Sequence, residues 1–153
     1  MASLLTLFAQ DRISYGGMEV DYERVGDSLE VKLRAPTQGW LALGFNEQND
    51  IVGSDLKMMA VAAGKIIVDD QWVTAPGVHP SDETMAGHTN IRVLSAEEAD
   101  NFTQFHLRLP LVTSDKNDLS LKAGQSLWLI MAYSVSDDFD HHSRMRKHFL
   151  ITL

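Results

Sequence analysis

Hydrophobic and polar residues alternate in short runs along most of this chain, and turn-forming residues separate the runs. An alternation with a period of two places every second side chain on the same face of a β-strand. We predict nine strands, at residues 18–25, 28–33, 40–45, 56–63, 65–73, 88–94, 102–109, 126–133 and 147–153. About nine strands without long helical segments between them predict an all-β, immunoglobulin-like fold in which two antiparallel sheets pack as a β-sandwich.

The segments between these strands carry signals of their own. Gly26-Asp27 and Gly64 each separate two predicted strands, and we expect tight hairpins there because glycine adopts the positive φ that such turns require. Residues 95–100 instead predict a short helical turn, with Ser95 as N-cap and Glu98 at the capping-box spacing. Residues 74–87 and 134–146 predict two longer loops, which is where a rigid sandwich usually carries its binding residues.

Length and charge narrow the classes of function. The chain has 153 residues, which fits one domain with one core. Its formal net charge of −8 argues against a nucleic-acid partner, because phosphate binding needs clustered Lys and Arg. No run approaches the roughly 20 apolar residues of a membrane-spanning helix. Residues 1–10 are apolar with no basic residue before them, so we expect no complete signal peptide. We expect an N-terminal strand or helical turn there, and the alternative is the end of a signal peptide whose start is missing.

The most informative stretch is residues 39–46, which read Gly-Trp-Leu-Ala-Leu-Gly-Phe-Asn. Leu41 and Leu43 share one face of the predicted strand, and glycines stand near both ends, where backbone must bend or approach another group closely. A polar turn follows, and residues 52–56, Val-Gly-Ser-Asp-Leu, then lead into the next apolar strand. This order of strand, loop and Gly-Ser-Asp resembles the signature of the DOMON family.

The resemblance to DOMON domains covers residues 17–153 and leaves residues 1–16 as an N-terminal segment. The further matching elements are an acidic and aromatic strand end at 66–72, a Leu-Pro strand end and paired Asp residues at 107–118, an apolar strand at 129–133, and a His-containing loop before the last strand. DOMON domains are β-sandwiches, and many hold a b-type haem. The resemblance therefore implies haem b as cofactor, and a periplasmic or extracellular location.

In haem-binding members of the family, one Met and one His hold the iron. The usual Met position falls on Ile51 here, and isoleucine has no lone pair to offer iron. His141 and His142 lie in the expected loop, and Arg146 follows His142 by four positions, close to the family's His-then-Arg spacing. The resemblance thus implies His142 or His141 as the metal ligand.

A bound haem needs an apolar slot, one or two axial ligands, and hydrogen-bond donors for its propionates. Besides the two histidines, the candidate cofactor-binding residues are Trp40, Met58, Met59, Met85 and Arg146. The three methionines and His88 are candidates for a sixth ligand, although methionine more often fills a core. A five-coordinate iron held by His141 or His142 alone is the alternative. Arg144 or Arg146 is the candidate for a propionate, because guanidinium binds carboxylate bidentately.

Other interpretations of the same polar residues stay open. Residues 134–146 can form a solvated loop that binds nothing. They can also contribute to a site for a borderline divalent ion, with the set Asp138, Asp140, His141, His142 and His148. Asp115, Asn117 and Asp118 can hold a hard cation such as Ca²⁺ through oxygen atoms, but the spacing lacks the Gly and the distal Glu of an EF-hand loop. We therefore expect a plain Asx-rich turn at these three residues.

For function we favour a haem b electron-transfer or redox-sensing module over an enzyme, with a redox protein as partner. The acidic charge would steer such a module toward basic partners. The alternative is a haem-free binding module for carbohydrate, another small ligand or a protein. Ile51 at the usual Met position favours this alternative, and Trp72 is the candidate for stacking on a sugar.

Overall fold

The computed structural model describes residues 11–153; the apolar segment 1–10 and the element predicted there lie outside the described residues. The strands are β1 Asp11–Tyr15, β2 Met18–Val25, β3 Ser28–Ala35, β4 Leu41–Asn46, β5 Asp55–Ala62, β6 Lys65–Trp72, β7 Arg92–Ala99, β8 Phe102–Pro110, β9 Ser126–Tyr133 and β10 Met145–Thr152. A short 3₁₀ helix, Asp82–Met85, lies between β6 and β7. Within residues 11–153, no helix has the length and apolar character needed to cross a membrane.

The strands form two five-stranded antiparallel sheets, which confirms the predicted β-sandwich. The first sheet has the strand order β1-β2-β3-β8-β7, and the second has the order β10-β9-β4-β5-β6. The core lies between them, where the inward side chains of both sheets, such as Leu33, Leu43, Phe105 and Leu129, are fully buried. Burial of alternate side chains on facing sheets is the main stabilising contribution to this architecture.

Strand β1 is one more than the nine strands that the alternation predicts. It pairs in register with β2, from Asp11 opposite Tyr22 to Tyr15 opposite Met18. Because β1 is an edge strand whose side chains are almost all exposed, it has no buried face and therefore no alternation to detect. It falls within residues 1–16, the segment that the resemblance leaves outside the domain.

The helical turn predicted at residues 95–100 is wrong, because most of these residues belong to β7. The predicted strand 88–94 accordingly starts too early. Val93 lies opposite Leu107 and Ser95 lies opposite His106, so Leu94 is an extra residue that forms a β-bulge. After the extra residue of a bulge, the alternation of core-facing and solvent-facing positions is shifted by one. The sequence of β7 therefore does not show one continuous alternation of apolar and polar residues. Pairing with β8 then outweighs the local capping-box signal at Ser95.

Both predicted hairpins are confirmed. Gly26 has φ of 62°, and Val25 pairs with Ser28 across the two-residue turn. Ala63 and Gly64 have φ of 50° and 75° in the turn that joins β5 to β6. Positive φ at the first central residue, as at Gly26, or at both, as at Ala63 and Gly64, matches the right-handed twist of the flanking strands.

The second sheet is buried on both faces at its centre. All six residues of β4 and the first six of β5 are buried. Leu41 and Leu43 belong to the core between the sheets, whereas Ala42 belongs to a second apolar cluster on the outer face. An antiparallel sheet commonly exposes its outer face to water. Here the outer face is buried, so other segments of the chain must cover it.

Candidate functional site

A row of side chains in register crosses the outer face of the second sheet. It runs from Arg146 on β10 through Ala132 on β9, Ala42 on β4 and Met58 on β5 to Asp69 on β6. Because the two alanines are small, the centre of this face is lower than its flanks. With strands spaced at about 4.8 Å, the backbones at Arg146 and Met58 are about 14 Å apart. The two alanines are therefore the apolar floor, with the guanidinium of Arg146 on one side and the thioether of Met58 on the other.

Three loops form the walls of a cavity over this floor. Residues 47–54, 73–81 and 134–144 contribute side chains that include Ile51, His79, Phe139, His141 and His142. The cavity has a volume of about 360 Å³, which lies within the roughly 300–1,000 Å³ typical of small-molecule sites. Its floor and walls are mostly apolar, and its few polar groups are imidazoles, a carboxylate and a guanidinium.

Trp40 and Ser134 hold the third loop against the sheet. The backbone N–H of Trp40 donates to the carbonyl of Ser136, and the backbone N–H of Ser134 donates to the carbonyl of Trp40, both at 2.9 Å. The indole N–H of Trp40 donates to the carbonyl of His141 at 3.2 Å. Since Trp40 is only 5% exposed, its ring is fixed by packing, and the position of His141 follows from it.

The contacts of His141 define which of its ring nitrogens carries the proton. Nδ1 lies 3.1 Å from Ser134 Oγ and 3.1 Å from the carbonyl of His142. The hydroxyl proton of Ser134 is already donated to the His142 carbonyl at 2.9 Å. Both neighbours of Nδ1 therefore act as acceptors, so Nδ1 is protonated and the lone pair is on Nε2. A neutral imidazole anchored through Nδ1 is the arrangement of a metal-ligating histidine.

His142 stacks on His141, with 4.3 Å between the ring centroids and 25° between the planes. The ring of His142 is the more exposed of the two. Because only His141 has the anchored ring, the geometry favours His141 over His142 as a ligand.

The structure brings five of the seven candidate cofactor-binding residues to this cavity. They are Trp40, Met58, His141, His142 and Arg146. Met59 instead points into the core between the sheets, where it is fully buried, and so it does not reach the cavity. Met85 ends the 3₁₀ helix and is not among the cavity-lining residues. Ile51, at the position where the resemblance to haem-binding domains implies a Met ligand, also lines the cavity.

His79 lines the cavity as well, although no sequence argument singled it out. Its Nδ1 lies 2.7 Å from Gln71 Oε1, and the amide group of Gln71 is oriented by donation from Nε2 to Asp69 at 2.8 Å. Nδ1 therefore donates, and the lone pair of His79 is on Nε2, as in His141. The sequence feature that pointed to His79 was its position in the loop 74–87, which was predicted to carry binding residues.

The set of residues considered for a borderline divalent ion is not brought together. Among the described residues, the groups of side chains close enough to share an ion are Asp55, Asp70 and Asp118, and Asp82, Asp115 and Asp118. His148 instead lies 2.9 Å from Asn49 Oδ1.

A buried cluster of charges lies at one end of the core, around Lys57. The ammonium group donates to Asp70 at 2.6 Å, to Asp55 at 2.7 Å and to Asp118 at 3.2 Å. The side chains of all four residues are 5% exposed or less. Further donors are the backbone N–H groups of Leu119, to Asp55 at 2.9 Å, and of Asn90, to Asp70 at 3.0 Å. The cluster links β5 and β6 to the loop between β8 and β9.

Burial and the neighbouring charges shift the pKa values in this cluster. Burial alone would lower the pKa of Lys57, but the three surrounding carboxylates raise it above its usual value. Burial raises the pKa of Asp55, although Lys57 opposes this. Burial also raises the pKa of Asp70 to about 7, again against the effect of Lys57. Removing either member of such a buried pair leaves a charge without a partner, which costs about 3–5 kcal/mol.

Comparison with known families identifies this architecture. The sequence model of the DOMON domain family matches residues 14–134. The chain belongs to the DOMON family. No curated protein matches this DOMON domain closely enough to count as a relative.

Solved structures with the same fold include two cytochrome domains. The cytochrome b domain of pyranose dehydrogenase from Coprinopsis cinerea is 10% identical with a TM-score of 0.67, and the match covers 95% of this chain and 81% of that chain. The cytochrome domain of cellobiose dehydrogenase from Myriococcum thermophilum is 12% identical with a TM-score of 0.65, and the match covers 95% and 82%. At these identities, the likeness is one of fold.

The motifs that carried the resemblance have two separate structural roles in this DOMON domain. Asp55 of Gly-Ser-Asp, Asp70 of the acidic strand end and Asp118 of the paired Asp residues all converge on Lys57. The Gly-Trp strand and the His-containing loop build the cavity on the outer face. The first set joins β5 and β6 to the loop before β9, and the second set lines the candidate cavity.

Proposed function

We propose that this DOMON domain binds haem b in the cavity on the outer face of its second sheet and serves as an electron-transfer or redox-sensing module. The observation that carries the proposal is the donor set of that cavity. An anchored imidazole, a thioether and a guanidinium share one mostly apolar space. These groups fit the needs of an iron porphyrin, which are axial nitrogen or sulfur ligands, an apolar slot and donors for carboxylate.

His141 is the proposed axial ligand, since its protonated Nδ1 leaves the Nε2 lone pair for iron. Met58 or His79 supplies the second ligand, because both line the same cavity. Arg146 lies at the edge of the floor, on β10, where it can bind a propionate. His142 covers the outer side of His141 and limits access of water to it.

The chemistry that haem b supplies when bound is one-electron oxidation and reduction of its iron. The protein residues set the affinity and the potential through ligand choice and burial of the cavity. We propose a redox protein as partner, and the net charge of −8 favours one with a basic docking face. A periplasmic or extracellular location belongs to the same proposal and is supported by membership of the DOMON family.

An absorption spectrum tests the proposal. Protein expressed with haem supply, or purified and mixed with hemin, should show a Soret band that shifts on reduction with dithionite. Replacement of His141 by Ala should remove this band or weaken hemin binding by more than about tenfold, since loss of a mere hydrogen-bond partner of a metal ligand already costs about 10- to 100-fold. His142→Ala should have the smaller effect. A colourless protein that takes up no hemin would refute haem binding, and an unchanged spectrum in His141→Ala would refute the ligand assignment.

Two methionines on one strand provide a matched pair for the second ligand. Met58→Leu should lower the reduction potential and alter the spectrum of the oxidised form, because a thioether ligand raises the potential of haem iron. Met59→Leu, one residue along and on the opposite face, should leave the spectrum unchanged. If both leucine variants keep the wild-type spectrum and His79→Ala changes it, the second ligand is His79.

A second candidate function is a haem-free binding module for carbohydrate, another small ligand or a protein. Ile51 favours it, because this residue lines the cavity at the position where haem-binding members usually have the Met ligand. Trp72 is half-buried and lies opposite Asp55 in register, so its side chain is on the core-facing side of the second sheet. The cavity on the outer face is therefore a better location for a ligand than Trp72. Failure to bind hemin, together with calorimetric binding of a sugar that Phe139→Ala weakens, would support this second function.

A further inference from the structure

Asp82 is a buried carboxylate that lacks hydrogen-bond partners. It begins the 3₁₀ helix, which packs beside β6, and its side chain is completely shielded from solvent. Neither carboxylate oxygen has a hydrogen-bond partner among the described residues. Burial of an unpaired carboxylate is costly, so this group indicates that a proton or a cation belongs beside it.

Other oxygen-bearing side chains surround the same point. Carboxylate oxygens of Asp82, Asp115 and Asp118 all lie within 4.8 Å of one another. The Nδ2 atom of Asn117 is buried without a partner too. A Cβ atom at Gly87 would stand 2.9 Å from that nitrogen and 2.8 Å from Asp115 Oδ1, so only glycine lets the backbone pack this closely against the group.

The nearby positive charge does not balance these carboxylates. Lys57 contacts Asp118, but its shortest bonds go to Asp55 and Asp70. The two groups of carboxylates together contain five aspartates, Asp55, Asp70, Asp82, Asp115 and Asp118, and Lys57 is the ammonium group that contacts three of them. Burial, followed by the charges of Asp70 and Asp55, raises the pKa of Asp82 to about 8. This shift is the electrostatic consequence of the same geometry.

We propose that Asp82, Asp115 and Asp118, with Asn117, form a binding site for a hard divalent cation such as Ca²⁺. The site joins the 3₁₀ helix to the turn between β8 and β9, and it is separate from the haem cavity on the outer face. All of its ligand atoms are oxygens, which suits Ca²⁺ and does not suit the softer transition metals. Rotation of the Asn117 amide presents Oδ1 in place of Nδ2, since the two orientations have the same shape.

The turn 115–118 alone did not predict this site, because it lacks the distal ligand of an EF-hand. Asp82 is that missing ligand, supplied from more than 30 positions away. In the turn itself, Asp115 accepts from the backbone N–H of Asn117 at 2.9 Å and of His88 at 2.6 Å. These bonds hold the carboxylate of Asp115 in place, and each of its oxygens still has a lone pair available for a cation.

Calcium titration of the whole chain tests the proposal. After treatment with EDTA, the protein should bind Ca²⁺ by calorimetry with a Kd no weaker than about 10⁻³ M, and millimolar CaCl₂ should raise its melting temperature relative to NaCl of equal ionic strength. Asp82→Asn should weaken binding by about tenfold or more and remove the calcium effect. Without calcium, this variant should be at least as stable as the wild type, because a buried amide needs neither the proton nor the cation that the buried carboxyl group requires.

Controls separate a cation site from general charge effects. Asp100→Asn, in the exposed turn between β7 and β8, should bind Ca²⁺ like the wild type. If Asp82→Asn does not fold, Asp115→Asn provides the same comparison and should lose affinity by a similar factor. No binding to the wild type at millimolar Ca²⁺, or undiminished binding in both variants, would overturn the proposal and leave a protonated Asp82. These outcomes do not depend on haem, so the proposal can fail independently of the haem site.

Discussion

Met58 and Met59 show how adjacent identical side chains acquire different roles. Both lie on β5, and the pleat of the strand turns them to opposite faces of the second sheet. Met59 is opposite Leu41 in register and fills the core, whereas Met58 is opposite Ala42 and forms part of the cavity floor. The sequence predicts that one of the two points inward. The register against β4 decides which one it is.

Glu30 should make stability depend on pH in a defined direction. Hydrogen bonding from Arg108 holds the pKa of Glu30 below its usual value, against burial, and His106 adds to this effect. The folded state therefore binds this proton less readily than the unfolded state, so the stabilisation is present at neutral pH and is lost as the pH falls through the folded pKa. Glu30→Gln should lower the free energy of unfolding by up to about 1 kcal/mol near neutral pH.

Urea unfolding at neutral and acidic pH measures this difference. The gap between wild type and Glu30→Gln should narrow below the ordinary glutamate pKa of about 4.3. Glu97→Gln, on the exposed side of β7, is the control and should change stability little at either pH. A gap of constant size across this range would mean that Glu30 acts through packing and not through its charge.

Among larger elements, the turn before β4 determines where the His-containing loop sits. Thr37 Oγ1 donates to the carbonyl of Ser134 at 2.6 Å, and Thr103 Oγ1 donates to the carbonyl of Thr37 at 2.8 Å. This chain of bonds connects β8 of the first sheet to the loop that carries the histidines. Gly39 lies at the closest point of approach, where the backbone of residues 134–136 leaves no room for a side chain.

Gly39→Ala should therefore disturb both stability and binding. A Cβ there would stand 2.6 Å from the nitrogen of Ser136 and 2.7 Å from the carbonyl carbon of Val135, and backbone atoms cannot move away as a flexible side chain can. We expect a loss of about 1–3 kcal/mol in the free energy of unfolding and weaker hemin uptake. Gln38→Ala, at the exposed neighbouring position, should leave hemin uptake intact. Normal hemin binding by Gly39→Ala would show that the loop does not depend on this contact.

Across the whole molecule, the main core and the candidate cavity lie on opposite faces of the second sheet. The core between the sheets contains the largest fully buried side chains, such as Phe105. The cavity lies on the outer face and is closed by loops that include the half-buried Phe139. Residues that line the cavity on the outer face can therefore be substituted without loss of packing in the core between the sheets.

Two phenylalanines test this separation. Phe105→Ala should lower the free energy of unfolding by about 3–5 kcal/mol, a large share of the roughly 5–15 kcal/mol of a typical domain. Phe139→Ala should lower it by less than about 1 kcal/mol but should weaken hemin uptake. Denaturant unfolding and hemin titration of both variants provide the two measurements. Comparable loss of stability in the two variants would argue against separate core and site.

Properties that depend on neighbours in sequence were accessible from the sequence alone. The sandwich class, the hairpins at Gly26 and Gly64 and the long loops follow from alternation and turn chemistry. The importance of the Gly-Trp strand was implied by its resemblance to the DOMON family. Contacts between distant segments were decided only by tertiary structure. Arg146, Ala42 and Met58 form one row because three strand pairings align them. His79 and His141 line one cavity because two loops lie over the same face. The physical reason is that strand register is set by hydrogen bonds and burial between segments far apart in the chain, and no local pattern contains that information.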